Sequence, residues 1–130
     1  MNAIKLALIG CGGLARVHAE CLKNIPEAKL VAYGDVAEEA ARKYLADFGG
    51  EYATADVDRI FADKSIRAIY ICTRHDSHAS LAIAAARAGK HILIEKPLAL
   101  RIEDCEAVAA EVKKAGVFLM PALKMRYYPL

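Results

Sequence analysis

The feature that most constrains the fold is a short apolar strand pattern that runs directly into a glycine-rich turn. Residues Ile4–Ile9 are followed by Gly10-Cys11-Gly12-Gly13-Leu14-Ala15. Gly10 can make a tight turn after the strand, Gly12 lets a ligand approach the backbone, and the small Ala15 allows close helix packing. A helix beginning near Leu14 would direct unpaired N–H groups and its positive dipole end at an anion. The pattern predicts that all six residues of this turn contact a nucleotide pyrophosphate.

Strand and helix patterns alternate along the rest of the chain, which is typical of βαβ units around a parallel sheet. Further strands are predicted at Lys29–Asp35, Tyr52–Ala53, Ile66–Thr73, Lys90–Glu95 and Val117–Met120. Helices are predicted at Ala15–Asn24, Glu38–Phe48, Val57–Phe61, from a cap at Ser77 to Ala88, and Ile102–Ala115. Together they predict an α/β fold with three layers, a doubly wound parallel sheet of about six strands in the order 3-2-1-4-5-6.

Three elements carry more specific predictions. The nearly continuous apolar run Ile66–Thr73 suits a central strand covered on both faces. The first helix presents Val17, Cys21 and Leu22 on one face, which we expect to pack on the sheet. The side chain of Ser77 is expected to cap the Ala-rich helix that follows it.

Composition excludes several classes of protein. At 130 residues the chain has the size of one domain, which buries roughly two-thirds of its unfolded surface. Although 56% of the residues are hydrophobic, no apolar run is long enough for a membrane helix, and the N-terminus does not resemble a signal peptide. The 18 basic and 16 acidic residues are interspersed, which disfavours nucleic acid as a partner. We therefore expect a cytoplasmic protein that binds neither membrane nor nucleic acid.

The cysteines do not indicate a metal or disulfide framework. Cys11, Cys21, Cys72 and Cys105 are scattered without a C-x-x-C pair, so reduced and mostly buried thiols are expected. Alkylation of Cys11 in the predicted phosphate loop could block binding, although a small residue tolerated by a tight turn is the favoured interpretation.

Asp35 ends the second predicted strand, about twenty residues after the glycine turn. A carboxylate there can accept hydrogen bonds from the adenosine ribose hydroxyls, and Val36 beside it belongs to the same predicted site. The charge favours NAD, because it would repel the 2′-phosphate of NADP and no arginine follows at once. The alternative is a turn aspartate that caps the next helix.

A second, independent pattern lies between Ile69 and Pro97. It comprises Ile71-Cys72-Thr73, then His78, then Ala88-Gly89-Lys90-His91-Ile92-Leu93-Ile94-Glu95-Lys96-Pro97. With these motifs the chain resembles the Gfo/Idh/MocA family, the glucose-fructose oxidoreductase and inositol dehydrogenase group of nicotinamide-dependent enzymes. The resemblance extends from the first strand to the tail Met125-Arg126-Tyr127-Tyr128-Pro129. It implies an NAD(P)-binding Rossmann domain of a dehydrogenase for a small polar substrate such as a sugar, cyclitol or related polyol.

The resemblance also implies roles for individual residues. Thr73 and the residues after it would line the cofactor crevice, and Glu95-Lys96-Pro97 would lie near the nicotinamide and the substrate. Lys96 is then the catalytic residue, since an ammonium can orient a reacting hydroxyl and stabilise its oxyanion or move its proton. Glu95 would position Lys96 or the nicotinamide amide, and the peptide bond before Pro97 would be cis.

Two positions depart from the family pattern, which has proline and then asparagine where this chain has Arg74 and His75. The guanidinium of Arg74 suits a cofactor phosphate or a substrate carboxylate. The alternative, which the sequence favours equally, is that Arg74 is a solvated loop residue without a ligand. His75 and His78 are included in the predicted cofactor site; with no third ligand in view, they do not predict a metal site. His18 and His91 receive no role.

The predicted boundaries are residues 1–120 for the dinucleotide-binding domain and 121–130 for the start of a connection. Members of the family normally continue into a second α/β domain, which builds the substrate pocket and commonly supplies a histidine. We therefore expect a truncated fragment that is inactive alone, with homo-oligomers possible for the full-length protein. A non-enzymatic NAD-binding or sensing module is the alternative. A methyltransferase or CoA-binding domain is more distant, because neither explains Glu95-Lys96-Pro97.

Overall fold

The computed structural model describes residues 3–129. Met1 and Asn2 of the predicted domain and Leu130 of the predicted connection lie outside the described residues. Its strands are β1 (Ile4–Ile9), β2 (Ala28–Gly34), β3 (Tyr52–Thr54), β4 (Ala68–Ile71), β5 (His91–Ile94) and β6 (Leu119–Pro121). Its helices are α1 (Gly13–Leu22), α2 (Glu38–Phe48), α3 (Val57–Ala62), α4 (His78–Arg87) and α5 (Ile102–Ala115), with short 3₁₀ helices at His75–Ser77 and Lys124–Tyr127. No helix within this range is long and apolar enough to cross a bilayer.

The six strands form one sheet in the order β3-β2-β1-β4-β5-β6, and every neighbouring pair is parallel. The predicted fold class and strand order are confirmed. The carboxyl ends of parallel strands share one edge of the sheet, and the chain reverses its direction of winding between β1 and β4. That reversal opens the crevice in which doubly wound folds bind ligands.

Apolar side chains cover both faces of the central strands. Ile9, Ile69 and Ile71 belong to one buried cluster, whereas Leu8 and Tyr70 belong to the other. Because successive strand residues point to opposite faces, the run predicted to be central is buried on both sides, with helices forming the outer layers. Strand β4 is shorter than predicted, since regular pairing stops at Ile71.

Helix α1 packs differently from the prediction. Its buried residues are Ala15 and Ala19, while Val17 is 56% exposed and Cys21 is exposed. Of the face predicted to pack on the sheet, only Leu22 is half-buried. Two alanines on the inner face let the helix approach the sheet closely, so the bulkier side chains lie outside.

Ser77 is the N-cap residue of α4, as predicted, but its side chain does not cap the helix. Ser77 precedes α4, yet its backbone is already helical (φ −98°, ψ −6°) and its side chain makes no cap bond. Its Oγ instead lies 2.7 Å from Oγ1 of Thr73. An N-cap serine needs an extended backbone to reach the following N–H groups, and the 3₁₀ turn before α4 prevents that conformation.

Candidate functional site

A groove of about 980 Å³ lies at the carboxyl edge of the sheet, over the ends of β1 and β4. The glycine turn and the end of β2 contribute the predicted residues Gly10, Gly12, Gly13, Leu14, Asp35 and Val36. The segments after β4 and β5 contribute the predicted residues Thr73, Arg74, His75, Glu95 and Lys96. The structure thus brings together eleven of the fourteen predicted site residues; it does not bring Cys11, Ala15 or His78 to the lining.

Gly10 and Gly12 are glycines for different reasons: Gly10 by its backbone conformation and close packing, Gly12 by the open space in front of it. Gly10 has φ +93°, and a Cβ there would lie 2.6 Å from the carbonyl carbon of Cys72. A Cβ on Gly12 would meet nothing within 4 Å, because the space before it is the groove. Gly12 is also the N-cap of α1 and leaves the helix without a side-chain cap. The first-turn N–H groups therefore remain available to an anion, and the missing Cβ lets that anion approach.

Asp35 connects the glycine turn to the end of β2. Its Oδ2 accepts a hydrogen bond from the N–H of Cys11 at 2.8 Å, and its Oδ1 accepts one from the N–H of Ala37 at 2.9 Å. The N-cap of α2 is Ala37, so Asp35 stabilises the turn before that helix rather than capping it. Each carboxylate oxygen has a second lone pair, which leaves acceptors for ribose hydroxyls at the groove surface.

The segment after β4 lies along the middle of the groove. Arg74 has a side chain that is 90% exposed, with Nε 3.6 Å from Oδ1 of Asp76. An ion pair this open and this long holds the guanidinium weakly, so Arg74 is free to reorient toward a bound anion. His75 is exposed beside it. Within residues 3–129 no group of three or more His, Cys, Asp or Glu residues is arranged to hold a metal ion.

His78 lies beneath the groove. It is fully buried, with Nδ1 2.7 Å from the carbonyl oxygen of Pro97 and Nε2 3.2 Å from that of Thr73. Both ring nitrogens therefore face main-chain oxygens of the segments that follow β4 and β5. The ring connects these segments and has no surface left for a cofactor, which corrects its predicted role as a contact.

Glu95 is the buried carboxylate of the groove, at 7% exposure. Its Oε1 lies 2.7 Å from Nε2 of His18 and 3.5 Å from the hydroxyl of Tyr70, and its Oε2 accepts the main-chain N–H of Lys96 at 3.1 Å. The Lys96 side chain is exposed in the groove, and the Lys96–Pro97 peptide is cis, as the resemblance implies.

His18 and Tyr70 are the residues that sequence reasoning missed. His18 follows Ala15 by three positions and therefore lies near the inner face of α1. Choosing the small residues of α1, rather than its bulkier ones, as the packing face would have pointed to this histidine.

A family model described as an oxidoreductase family with an NAD-binding Rossmann fold matches residues 4–123. The chain belongs to the Gfo/Idh/MocA family. It is similar to myo-inositol 2-dehydrogenase of Thermotoga maritima, at 36% identity over 95% of this chain and 37% of the relative. It is 34% identical to scyllo-inositol 2-dehydrogenase (NAD(+)) of Bacillus subtilis, over 98% of this chain and 38% of that protein.

Solved structures share the fold of this Gfo/Idh/MocA domain. A probable dehydrogenase from Thermotoga maritima superposes with a TM-score of 0.91 at 35% identity, covering 95% of this chain and 37% of that one. GenD2 from gentamicin A biosynthesis, in complex with NAD, superposes with a TM-score of 0.88 at 29% identity, covering 93% of this chain and 34% of that one. KijD10, a 3-ketoreductase from Actinomadura kijaniata in complex with NADP, superposes with a TM-score of 0.92 at 27% identity, covering 98% of this chain and 39% of that one. The chain thus spans less than two-fifths of these proteins, within the NAD-binding domain.

Cys11 in this Gfo/Idh/MocA domain faces away from the cofactor groove. It is 8% exposed, its Sγ lies 3.7 Å from the carbonyl oxygen of Gly34, and burial, with the nearby Asp35 charge, raises the pKa of the thiol to about 12. Only its backbone serves the site, through the N–H bound by Asp35. Ala15 is likewise buried, against the sheet. The expectation of mostly buried thiols is wrong, since Cys72 and Cys105 are half-buried and Cys21 is exposed.

We expect iodoacetamide at pH 8 to modify Cys21 and to spare Cys11. A pKa of about 12 leaves only about one Cys11 thiol in ten thousand ionised at that pH, and the thiolate is the reactive form. Peptide mass spectrometry over a time course measures the modification at each cysteine, with a denatured sample as the control in which all four react. Rapid labelling of Cys11 in the folded protein would contradict this placement.

Proposed function

We propose that this protein provides the cofactor-binding half of an NAD-dependent dehydrogenase that acts on a sugar, a cyclitol or a related polyol. The observation that carries the proposal is that the exposed Lys96 shares one groove with the glycine turn and Asp35. A lysine at the end of such a groove can reach a reacting hydroxyl beside a bound dinucleotide. The inositol dehydrogenases among the relatives support a cyclic polyol as the class of substrate.

The proposed cofactor follows the groove from end to end. The N-terminus of α1, with Gly12 and Gly13, binds the pyrophosphate. Asp35 accepts hydrogen bonds from the adenosine ribose, and the exposed Val36 covers the adenine side. The nicotinamide then lies toward Glu95 and Lys96, where the cofactor supplies a hydride acceptor.

In this arrangement Lys96 is the catalytic residue. Its ammonium donates a hydrogen bond to the substrate hydroxyl and stabilises the negative charge that grows on that oxygen as the hydride leaves. Arg74 and His75 lie at the same groove surface and contact a cofactor phosphate or the substrate. Residues 1–120 form the dinucleotide-binding unit, and residues 121–130 begin a connection. The substrate pocket and the second proton-transfer group belong to the part of the relatives that this chain does not match.

Calorimetric titration tests the cofactor assignment. We expect NADH to bind more tightly than NADPH and S-adenosylmethionine not to bind, because only a dinucleotide fills both ends of the groove. Asp35→Asn should weaken NADH binding about tenfold and bring NADPH closer to it, since one hydrogen bond to a charged acceptor and the repulsion of a 2′-phosphate are lost together.

Glu106→Gln, on the exposed side of α5, is the matched control that changes net charge without touching the groove. A folded wild-type chain that binds neither dinucleotide would overturn the cofactor assignment. An unchanged preference in Asp35→Asn would place the ribose elsewhere. Turnover of a polyol by this chain alone would contradict the division of catalysis between two domains.

A further inference from the structure

The carboxylate of Glu95 is buried to an extent at which a charge needs partners. The adjacent lysine is not that partner. No ion pair joins Lys96 to Glu95 within the described range, and the only bond between them runs from the main-chain N–H of Lys96 to Oε2. The other oxygen, Oε1, faces α1 and β4, where His18 approaches to 2.7 Å. The side chain that holds Glu95 therefore comes from the phosphate-binding helix.

His18 is itself oriented by its surroundings. Its ring packs against the ring of Tyr70 with centroids 4.5 Å apart, and its side chain is 26% exposed. Burial, with a contribution from the Glu95 charge, raises the pKa of the Tyr70 phenol, so Tyr70 stays protonated. Its hydroxyl faces Oε1 of Glu95 as a weak donor at 3.5 Å. Burial likewise raises the pKa of the nearby Cys72 thiol to about 12. His18 is the strong donor to this carboxylate.

We propose that His18 is a positioning residue: through Glu95 it fixes the turn that carries Lys96 at the nicotinamide end of the groove. The bond joins residues 77 positions apart and connects the helix that binds pyrophosphate to the end of β5. It thereby sets the distance between the pyrophosphate and nicotinamide positions of the groove. Preorganising groups in this way increases binding and catalysis without a contact of their own to the ligand. The inference rests on the proposed function, because it assumes that the nicotinamide lies beside Glu95.

The test compares two ligands that differ only at that end. NADH spans the whole groove, whereas ADP-ribose has the adenosine, pyrophosphate and ribose but no nicotinamide. His18→Phe keeps a ring against Tyr70 and removes the donor. We expect it to weaken NADH binding about tenfold, because part of the binding free energy must then order the turn that carries Lys96, and to leave ADP-ribose binding within about twofold. The fluorescence change of the nicotinamide on binding should diminish in the same variant.

Two further variants separate positioning from folding. His18→Gln keeps a side-chain N–H donor and should restore most of the NADH affinity. His91→Leu is the control: His91 also packs on an aromatic ring, that of Phe118, and its Nδ1 accepts a hydrogen bond from the main-chain N–H of Phe118, but it lies at the amino end of β5, away from the groove. It should lower thermal stability and leave the ratio of NADH to ADP-ribose affinity unchanged.

The outcomes distinguish this inference from the proposed function. If the folded wild-type chain binds neither NADH nor ADP-ribose, both fail. If it binds both, and His18→Phe weakens them equally or only lowers the melting temperature, His18 has a structural role and the inference alone fails. His18→Leu replaces His18→Phe if the latter does not fold. Failure of both to fold, with His91→Leu folded, would also assign His18 to folding and overturn the inference.

Discussion

Gly10→Ala is expected to destabilise the domain by about 4 kcal/mol or more, which is most of the free energy of unfolding of a domain at the lower end of the usual range, about 5 kcal/mol. The backbone at Gly10 has φ +93°, which side chains rarely adopt, and the new Cβ would lie 2.6–2.7 Å from main-chain atoms of Cys72 and Thr73. Those atoms directly follow β4, where the N–H of Cys72 donates a hydrogen bond to the carbonyl oxygen of Ile9, so they cannot move without disrupting the junction of β1 and β4. Thermal or urea unfolding followed by circular dichroism measures the loss.

Two other glycines provide matched comparisons. Gly89 also has a positive φ, +71°, but its Cβ would meet nothing within 4 Å, so Gly89→Ala should cost only about 1 kcal/mol of backbone strain. Gly12→Ala should fold normally and lose at least about tenfold in NADH affinity, because its methyl group would occupy the approach of the pyrophosphate. A melting temperature of Gly10→Ala within a few degrees of wild type, or unchanged NADH binding by Gly12→Ala, would contradict these assignments.

Local patterns were sufficient to predict most of the architecture. Helices α2 and α5 have the predicted bounds because Gly49 and Gly116 end them, and the glycine turn after β1 placed the groove. The strand order followed from the match of six strands and their intervening helices to a dinucleotide-binding fold. These features depend on residues that are close in sequence.

The orientation of side chains could not be predicted in the same way. Cys11 belongs to the glycine turn, and His78 to the second motif, yet both side chains face inward. A motif fixes the path of the backbone, whereas the direction of each side chain depends on how the elements pack. The bond from His18 to Glu95 is the clearest case, because it depends on the rotation of α1 about its own axis. Ala15 and Ala19, which set this rotation, indicate a buried helix face less strongly in the sequence than the larger apolar Val17 does.

Lys96→Met is expected to abolish hydride transfer while leaving the cofactor bound. A chimaera in which this chain replaces the matched segment of the Thermotoga maritima myo-inositol 2-dehydrogenase provides the substrate half. We expect it to reduce NAD with myo-inositol, and Lys96→Met to lower kcat by about 100- to 10,000-fold, the range associated with loss of a proton-transfer or oxyanion-stabilising group. Absorbance at the NADH band measures the rate, and calorimetry measures the NADH affinity.

Lys113→Met is the matched control, because Lys113 lies exposed in the last turn of α5 and does not line the groove. It should leave both rate and affinity unchanged. The equivalent chimaera with the Bacillus subtilis relative's segment establishes that domain exchange permits turnover. If that chimaera is active and the chimaera with this chain binds NADH without reducing NAD, the chain is a dinucleotide-binding module without a catalytic role. Equal rates with Lys96 and with methionine would place the reacting hydroxyl away from Lys96, because an apolar thioether can neither donate a proton nor stabilise an oxyanion.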